Sequence, residues 1–227
     1  MSAKRTGSKR SSLMWNFFKR KNTPELPITP QIVAQVEVEI SQNRSAEKNK
    51  ISFLCAEKIL EYFENSQGLL TPDSESELDS PRVRQQLYKI LLERPLAPYS
   101  TLIRQVFEKE VQYRIALWNG IIKDDGDSYE GIYRCAFLLY RLGSTSDIEA
   151  LWVAKHINMD VGTSMGVEFF IGAGFQATVS YLAESNLRDA DEISSYVAGW
   201  FDQDDAEKWQ KDWELGMAQN ISSTGDS

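Results

Sequence analysis

Residues 131–156 read GIYRCAFLLYRLGSTSDIEALWVAKH, and they carry the clearest folding signal in the chain. From Ile132 onward, apolar side chains recur at steps of three and four, which predicts a nearly all-apolar helix. Gly143 is expected to end this helix, because glycine readily takes the left-handed conformation that follows helix C-termini. Ser144 stands three positions before Asp147, an arrangement similar to a capping box, and indicates a second helix. The segment therefore predicts two antiparallel helices joined by a short turn.

Helical patterns extend on both sides of this hairpin. The segment after Pro30 suits either a helix or a strand, and the Thr29–Pro30 pair favours the helix because proline is common at the first helical position. The chain shows no regular alternation of strand and helix patterns, so we predict an all-α protein of roughly seven to nine helices. We expect antiparallel helix pairs in a HEAT-like arrangement or an irregular bundle. Further helical patterns lie at residues 46–65, after Pro81, at 99–118, at 167–184, from Ser194 to Phe201, and from Asp205 to about Met217.

Composition divides the chain into a body and two tails. Residues 1–29 combine basic side chains with a proline-rich linker, and we expect them to form a disordered tail. We predict a single helical domain over residues 30–217, in which an acidic loop separates the halves 30–120 and 128–217. The polar residues 218–227 are expected to form a second disordered tail.

The 227-residue chain has a formal net charge of −8, which is unevenly distributed. Residues 1–22 contain seven basic side chains and no acidic one, which leaves 18 of the 25 basic groups and all 33 acidic groups for the remainder. Such an acidic body repels nucleic-acid phosphates and attracts basic proteins, so we expect a basic protein partner and no nucleic acid. Three interpretations of residues 1–22 stay open: plain disorder, a targeting segment, and a weak contact with an anionic membrane surface.

The low histidine and cysteine content limits the chemistry available to the chain. One histidine and two cysteines exclude most zinc sites and disulfide scaffolds, and we predict no metal and no cofactor. The sequence contains no apolar run of about 20 residues, so we do not expect it to span a membrane. Without a secretory signal pattern, we expect a cytoplasmic protein with reduced cysteines.

Three local patterns are similar to functional motifs, and each has a structural explanation. Residues 162–166 read GTSMG and match the serine elbow of α/β-hydrolases, but the single histidine, His156, precedes the serine. Residues 172–177 fit G-x-G-x-x-A without the flanking strands of a dinucleotide site, so close helix packing explains them better. The acidic residues 124–127 lack the spacing of a calcium loop. We therefore predict no catalytic residue, and we expect His156 to cap or pack at a helix end.

Aromatic and acidic residues are concentrated near the C-terminus, where they form our candidate partner-binding site. Between Asp189 and Glu214 there are nine acidic residues and two lysines. Aromatic anchors with an acidic rim are typical of a docking face for a basic protein. The alternative is that two terminal helices pack their tryptophans into the core. The candidate residues are Trp200, Asp202, Asp204, Asp205, Trp209, Asp212 and Trp213.

Several short patterns in the second half of the chain occur together in one order. Residues 139–143 read LYRLG at the end of an apolar helix, and a turn containing Asp147 follows. The next helix ends with AKH at residues 154–156. GAG at residues 172–174 and TVSYL at residues 178–182 complete the series.

With these patterns, residues 129–182 resemble the helical, HEAT-like immunity proteins that accompany bacterial polymorphic toxins. The resemblance implies a non-enzymatic protein that neutralises a cognate toxin by direct binding. The acidic body agrees with this function, since toxin domains that act on nucleic acid are often basic and would be attracted to it. Three alternatives stay open: a helical scaffold or adaptor, a peripheral membrane protein that uses the basic N-terminus, and an enzyme that uses Ser164, His156 or the loop at Gly172.

Overall fold

The computed structural model describes residues 30–126, 128–201 and 205–224, and all regular structure within these ranges is helical. The all-α prediction is therefore confirmed for the described part of the chain, with ten α-helices and three short 3-10 helices. The α-helices are α1 (Pro30–Asn65), α2 (Pro72–Glu77), α3 (Pro81–Leu92), α4 (Ser100–Trp118), α5 (Gly131–Leu142), α6 (Ile148–Lys155), α7 (Met159–Ser164), α8 (Phe175–Glu184), α9 (Ala190–Phe201) and α10 (Ala206–Ser222). The 3-10 helices are Ala97–Tyr99, Thr145–Asp147 and Val167–Phe170.

Contacts divide the chain into two units, residues 1–41 and residues 42–227. In the first unit, the described backbone is helical from residue 30, and the described side chains are exposed. The second unit contains the remaining helices and covers most of the helical domain predicted from the sequence.

The core of the second unit forms around α4 and α5, which pack against each other. Leu102 and Val106 of α4 have no solvent exposure, and neither do Ala136 and Leu138 of α5. Fully burying a leucine or valine side chain contributes about 1.5–3 kcal/mol, so this contact stabilises the unit strongly. Helix α5 also contacts α3 and α10, and α8 packs on α9. Two pairs of consecutive helices thus pack together, α4 with α5 and α8 with α9, whereas α5 and α6, the two helices of the predicted hairpin, make little contact with each other.

The turn after α5 agrees with the sequence prediction at Gly143 and differs at Asp147. Gly143 ends α5 in the left-handed conformation with a φ of +65°. The expected capping box is wrong, because the Ser144 hydroxyl contacts the Ser146 hydroxyl at 2.8 Å and makes no capping bond. Asp147 instead accepts hydrogen bonds from Arg104 of α4, at 2.6 and 3.2 Å. A charged contact between distant segments therefore holds the start of α6.

Helix α10 extends further than the sequence predicts. The domain was expected to end near residue 217, but the helix continues to Ser222 and Ile221 is fully buried. Asn220 also accepts a 2.7 Å hydrogen bond from Arg134 and donates one of 3.0 Å to Glu130. The prediction of a disordered tail is consequently wrong for residues 218–222, and residues 225–227 lie outside the described ranges.

Residues 167–184 form two elements, although the sequence predicts one helix. A 3-10 helix over Val167–Phe170 is followed by a turn and then by α8. The turn brings Gly172 so close to α5 that a Cβ atom there would lie 2.8 Å from the Tyr140 carbonyl carbon. The prediction of close packing therefore holds for Gly172, whereas a Cβ atom on Gly174 would meet no neighbour, and this glycine instead takes a φ of +93°.

Candidate partner-binding site

The C-terminal face predicted from the sequence is only partly within the described residues. Asp202, Asp204 and the side chain of Trp200 lie outside them. Asp205 and Asp212 are exposed, and Asp205 occupies the N-cap position of α10 without a side-chain capping bond.

The two described tryptophans of this face have different environments. Trp209 is 53% exposed, and its indole N–H donates a 2.7 Å hydrogen bond to Glu168. Trp213 is half-buried and meets Phe137, Tyr140 and Phe169 edge to face, with ring centroids 5.5, 5.0 and 4.9 Å away. Such aromatic contacts stabilise a fold. The geometry therefore gives Trp213 a packing role, whereas Trp209 and the two aspartates remain accessible.

The motif-like residues His156 and Ser164 lie at helix ends in the described part of the chain. His156 follows α6, where its Nδ1 donates to the Trp152 carbonyl at 2.8 Å and its ring lies 4.5 Å from the Trp152 ring, centroid to centroid. Ser164 is exposed at the end of α7.

No three histidine, cysteine or acidic side chains among the described residues converge as metal ligands would. In the same residues, no helix has both the length and the apolar content to cross a membrane.

The structure reveals a different candidate surface, a groove of about 990 Å³ that runs beside α4. Helix α6 and the segment around α2 supply most of its other lining residues, and Arg84, Ile122 and Ser146 complete it. Val153 of α6 is 59% exposed although it is a large apolar side chain, so it could contact a bound molecule. We call this surface the α4–α6 groove. Its apolar and aromatic lining residues are Leu70, Phe107, Val111, Tyr113, Ala116, Ile122, Ala150, Val153 and Ala154.

The charged groups of the α4–α6 groove are mainly acidic. Glu75, Glu108 and Glu149 come from α2, α4 and α6, and none of them forms an ion pair with a described residue. A fourth acid, Asp79, pairs with Lys109 at 2.5 Å. Three acidic groups without a cationic partner among the described residues give the groove a negative potential that favours a cationic ligand.

A buried ion pair holds the acidic side of the groove in place. The Arg84 guanidinium donates to the backbone carbonyls of Leu78 and Asp79, at 2.9 and 3.1 Å, and so fixes the turn between α2 and α3. Its Nε donates to Glu110 of α4 at 2.8 Å. The Tyr88 hydroxyl donates to the same carboxylate at 2.6 Å. These bonds connect α2, α3 and α4 beneath the groove.

The pKa values of this cluster reflect the burial of the ion pair. Burial opposes the positive charge of Arg84, but the adjacent Glu110 carboxylate outweighs it and raises the Arg84 pKa above its ordinary value. Burial, followed by the Glu110 charge, raises the pKa of Tyr88 well above its ordinary value. Arg84 therefore stays cationic and Tyr88 stays a hydrogen-bond donor, so the cluster keeps its geometry at neutral pH.

A small recess at the end of α4 carries a further exposed aromatic side chain. Trp118 is 57% exposed and lines this recess together with Asp124 and Asp160. Asp160 pairs with Arg114, whose guanidinium also donates to the Tyr129 carbonyl at 3.2 Å. An exposed tryptophan beside acidic groups has the anchor-and-rim composition that the sequence predicts for the C-terminal helices.

The sequence analysis missed the α4–α6 groove because its residues are far apart in the chain. No linear motif joins Glu75, Glu108 and Glu149. One signal was available in α6, which reads IEALWVAK and is apolar around most of its circumference. One buried face requires fewer apolar residues than α6 contains. The helix therefore has a second apolar face, which carries Val153.

We compared the chain with protein-family models, with curated proteins and with solved structures, and none of the three comparisons found a match.

Proposed function

We propose that this chain is a non-enzymatic binding protein that neutralises a basic toxin domain by direct contact, as an immunity protein does. One observation carries the proposal: the α4–α6 groove combines an apolar lining, in which Val153 is 59% exposed, with three acidic groups that form no ion pair with a described residue. Apolar anchors supply affinity in protein interfaces, and charges of one sign around them select a partner of the opposite sign.

The charge of the whole chain supports a basic partner. Beyond residue 22 the chain carries 18 basic and 33 acidic groups, and this excess would steer a cationic domain toward it. Steering raises the association rate, which suits a protein that must capture a toxin before the toxin acts. The proposed location is the cytoplasm, where a toxin directed at nucleic acid would act.

The sequence resemblance supports the same function. Helix α6, which supplies Glu149 and Val153 to the groove, lies within residues 129–182, the segment that resembles immunity proteins of polymorphic toxin systems. An enzymatic function would use His156 and Ser164. His156 follows the end of α6, and Ser164 is the last residue of α7.

Identification of the partner tests the proposal. The full chain, tagged in its native cell, is cross-linked and purified, and the captured proteins are identified by mass spectrometry. We expect a basic protein that stops growth when it is expressed alone and does not when this chain is co-expressed. A captured partner without toxicity would contradict the proposal, as would turnover of a metabolite by the isolated chain.

Two charge-reversal variants distinguish the two candidate docking surfaces. Glu108→Lys with Glu149→Lys alters the groove, and Asp205→Lys with Asp212→Lys alters the C-terminal face by the same change in net charge. We expect only the groove variant to slow association with the partner at low salt. Slower association of the C-terminal variant alone, with thermal stability unchanged, would instead assign docking to the face predicted from the sequence.

A further inference from the structure

The lining of the α4–α6 groove also indicates what kind of segment binds there. We propose that its occupant is an amphipathic helix of the partner, about three turns long, with an apolar face bordered by lysine or arginine on both sides. This inference rests on the proposed function for the existence of the partner, but its site and its ligand chemistry are tested separately.

The length of the occupant follows from the part of α4 that lines the groove. The lining residues of α4 extend from Gln105 to Ala116, and those of α6 from Glu149 to Ala154. At a rise of 1.5 Å per residue, the α4 segment is about 17 Å long. A helix lying along it would therefore contribute about 11 residues, or roughly three turns, with anchors at spacings of three and four.

The secondary structure of the lining excludes an added β-strand. Peptides that bind as strands need a sheet edge with free backbone N–H and C=O groups. Within the described residues the groove is lined largely by helices, whose backbone groups are bonded along each helix. What these helices offer is apolar side chains such as Val111 and Val153, which interlock with the side chains of another helix.

The positions of the acidic groups determine where the basic residues of the occupant lie. Glu75 and Asp79 lie on the α2 side, Glu149 on the α6 side, and Glu108 on α4 between them. Basic residues on both borders of an apolar face would match this distribution. Lys109 does not prevent a basic occupant from binding. Its pair with Asp79 lies at the surface, and surface pairs of this kind contribute about 0–1 kcal/mol.

A synthetic peptide tests the inference without knowledge of the natural partner. The probe is a leucine–lysine peptide of about 14 residues, with leucine at helical spacings of three and four. Two control peptides are used, one with the same composition in scrambled order and one with glutamate in place of lysine. Each is titrated into the full chain, labelled with ¹⁵N.

We expect the amphipathic peptide alone to become helical and to shift the amide signals of α4 and α6. Glu108→Lys with Glu149→Lys should weaken its binding by about tenfold or more, since two opposite-charge contacts become repulsive. Val153→Ser should also weaken binding of the peptide. Because Val153 is exposed, this variant should remain folded. Asp205→Lys with Asp212→Lys is the matched control and should leave the affinity unchanged.

Three results would overturn the inference: no binding of the amphipathic peptide, equal binding of the scrambled peptide, or signal shifts confined to α10. The proposed function can fail independently of it. If the peptide binds the groove but no toxic partner exists, the function is wrong and the ligand class stands. If a toxin is neutralised by a chain that does not bind the peptide, the function stands and the helix-in-groove inference is wrong.

Discussion

Glu110 is 1% exposed and accepts hydrogen bonds from two side chains of α3, those of Arg84 and Tyr88. We expect Glu110→Ala to lower the free energy of unfolding by about 3–5 kcal/mol, because it leaves the Arg84 charge buried without its partner. Urea unfolding followed by circular dichroism measures the change. Loss of the turn held by Arg84 should also weaken partner binding at the acidic side of the groove.

Lys109→Ala is the matched control for this prediction. Lys109 stands next to Glu110 in α4, but its pair with Asp79 is on the surface, where the aspartate side chain is 70% exposed. We expect this substitution to change the free energy of unfolding by less than about 1 kcal/mol. If Glu110→Ala and Lys109→Ala lowered the free energy of unfolding equally, the buried pair would contribute no more to stability than the surface pair.

Trp213 and Trp118 form a second contrast at the residue scale. We expect Trp213→Ala to lower the free energy of unfolding by at least about 2 kcal/mol, because it removes three edge-to-face ring contacts. Trp118 is 57% exposed, so Trp118→Ala should change stability by only about 0.5 kcal/mol. Thermal melts of both variants make the comparison.

The opposite order of the two effects would place Trp213 on the surface. It would then return to the set of partner anchors that the sequence analysis predicted.

At the scale of elements, the close approach of the turn before α8 to α5 explains why glycine stands at position 172. We expect Gly172→Ala to lower the free energy of unfolding by about 1–3 kcal/mol, because the new methyl group would overlap backbone atoms of Tyr140 that cannot rotate away. Gly216→Ala in α10 is the control. Apart from the two neighbouring residues and the backbone of α10 itself, no described heavy atom lies within 4 Å of the Cβ it would add, and alanine in a helix is about 0.5–1 kcal/mol more favourable than glycine.

Chemical denaturation of both glycine variants measures these effects. If Gly172→Ala were as stable as the natural chain, the turn could move away from α5, and close packing would not explain the GAG sequence.

Helix positions could be predicted where the apolar pattern is long and where a stop residue follows, as in α5 and Gly143. The short helices α2 and α7 were missed, since six residues contain too little of a helical period to be distinguished from a loop. The end of α10 was missed because Ile221 is a single apolar residue in a polar segment. Its burial depends on the tertiary contacts that Arg134 and Glu130 make with Asn220.

At the scale of the whole molecule, the sequence establishes the excess of acidic groups but not where they converge. The docking face predicted from the sequence consists of residues close together in the chain, because a local pattern does not show which distant residues meet in the fold. Folding instead brings Glu75, Glu108 and Glu149 to one groove, and packs Trp213 against α5. The candidate site therefore depends on tertiary contacts such as the Arg84–Glu110 pair, which no local pattern reveals.

The response of the whole molecule to alkaline pH follows from its buried tyrosines. Burial, and then a hydrogen bond to Glu214, raises the pKa of Tyr140 from 10.0 to about 12. Between pH 10 and about 12, the folded chain therefore keeps the Tyr140 proton while the unfolded chain loses it. Because the unfolded state binds fewer protons in this range, the free energy of unfolding should fall as the pH rises through it.

Tyr140→Phe isolates this contribution, since phenylalanine cannot titrate. We expect the variant to lose less stability than the natural chain between pH 10 and about 12, when urea unfolding is measured at both ends of the range. The other tyrosines, including Tyr88, contribute equally to the alkaline loss of stability in the natural chain and in the variant. Any difference between the two losses is therefore due to Tyr140. Identical losses in the natural chain and in Tyr140→Phe would mean that neither burial nor the hydrogen bond to Glu214 holds the proton on the Tyr140 phenol.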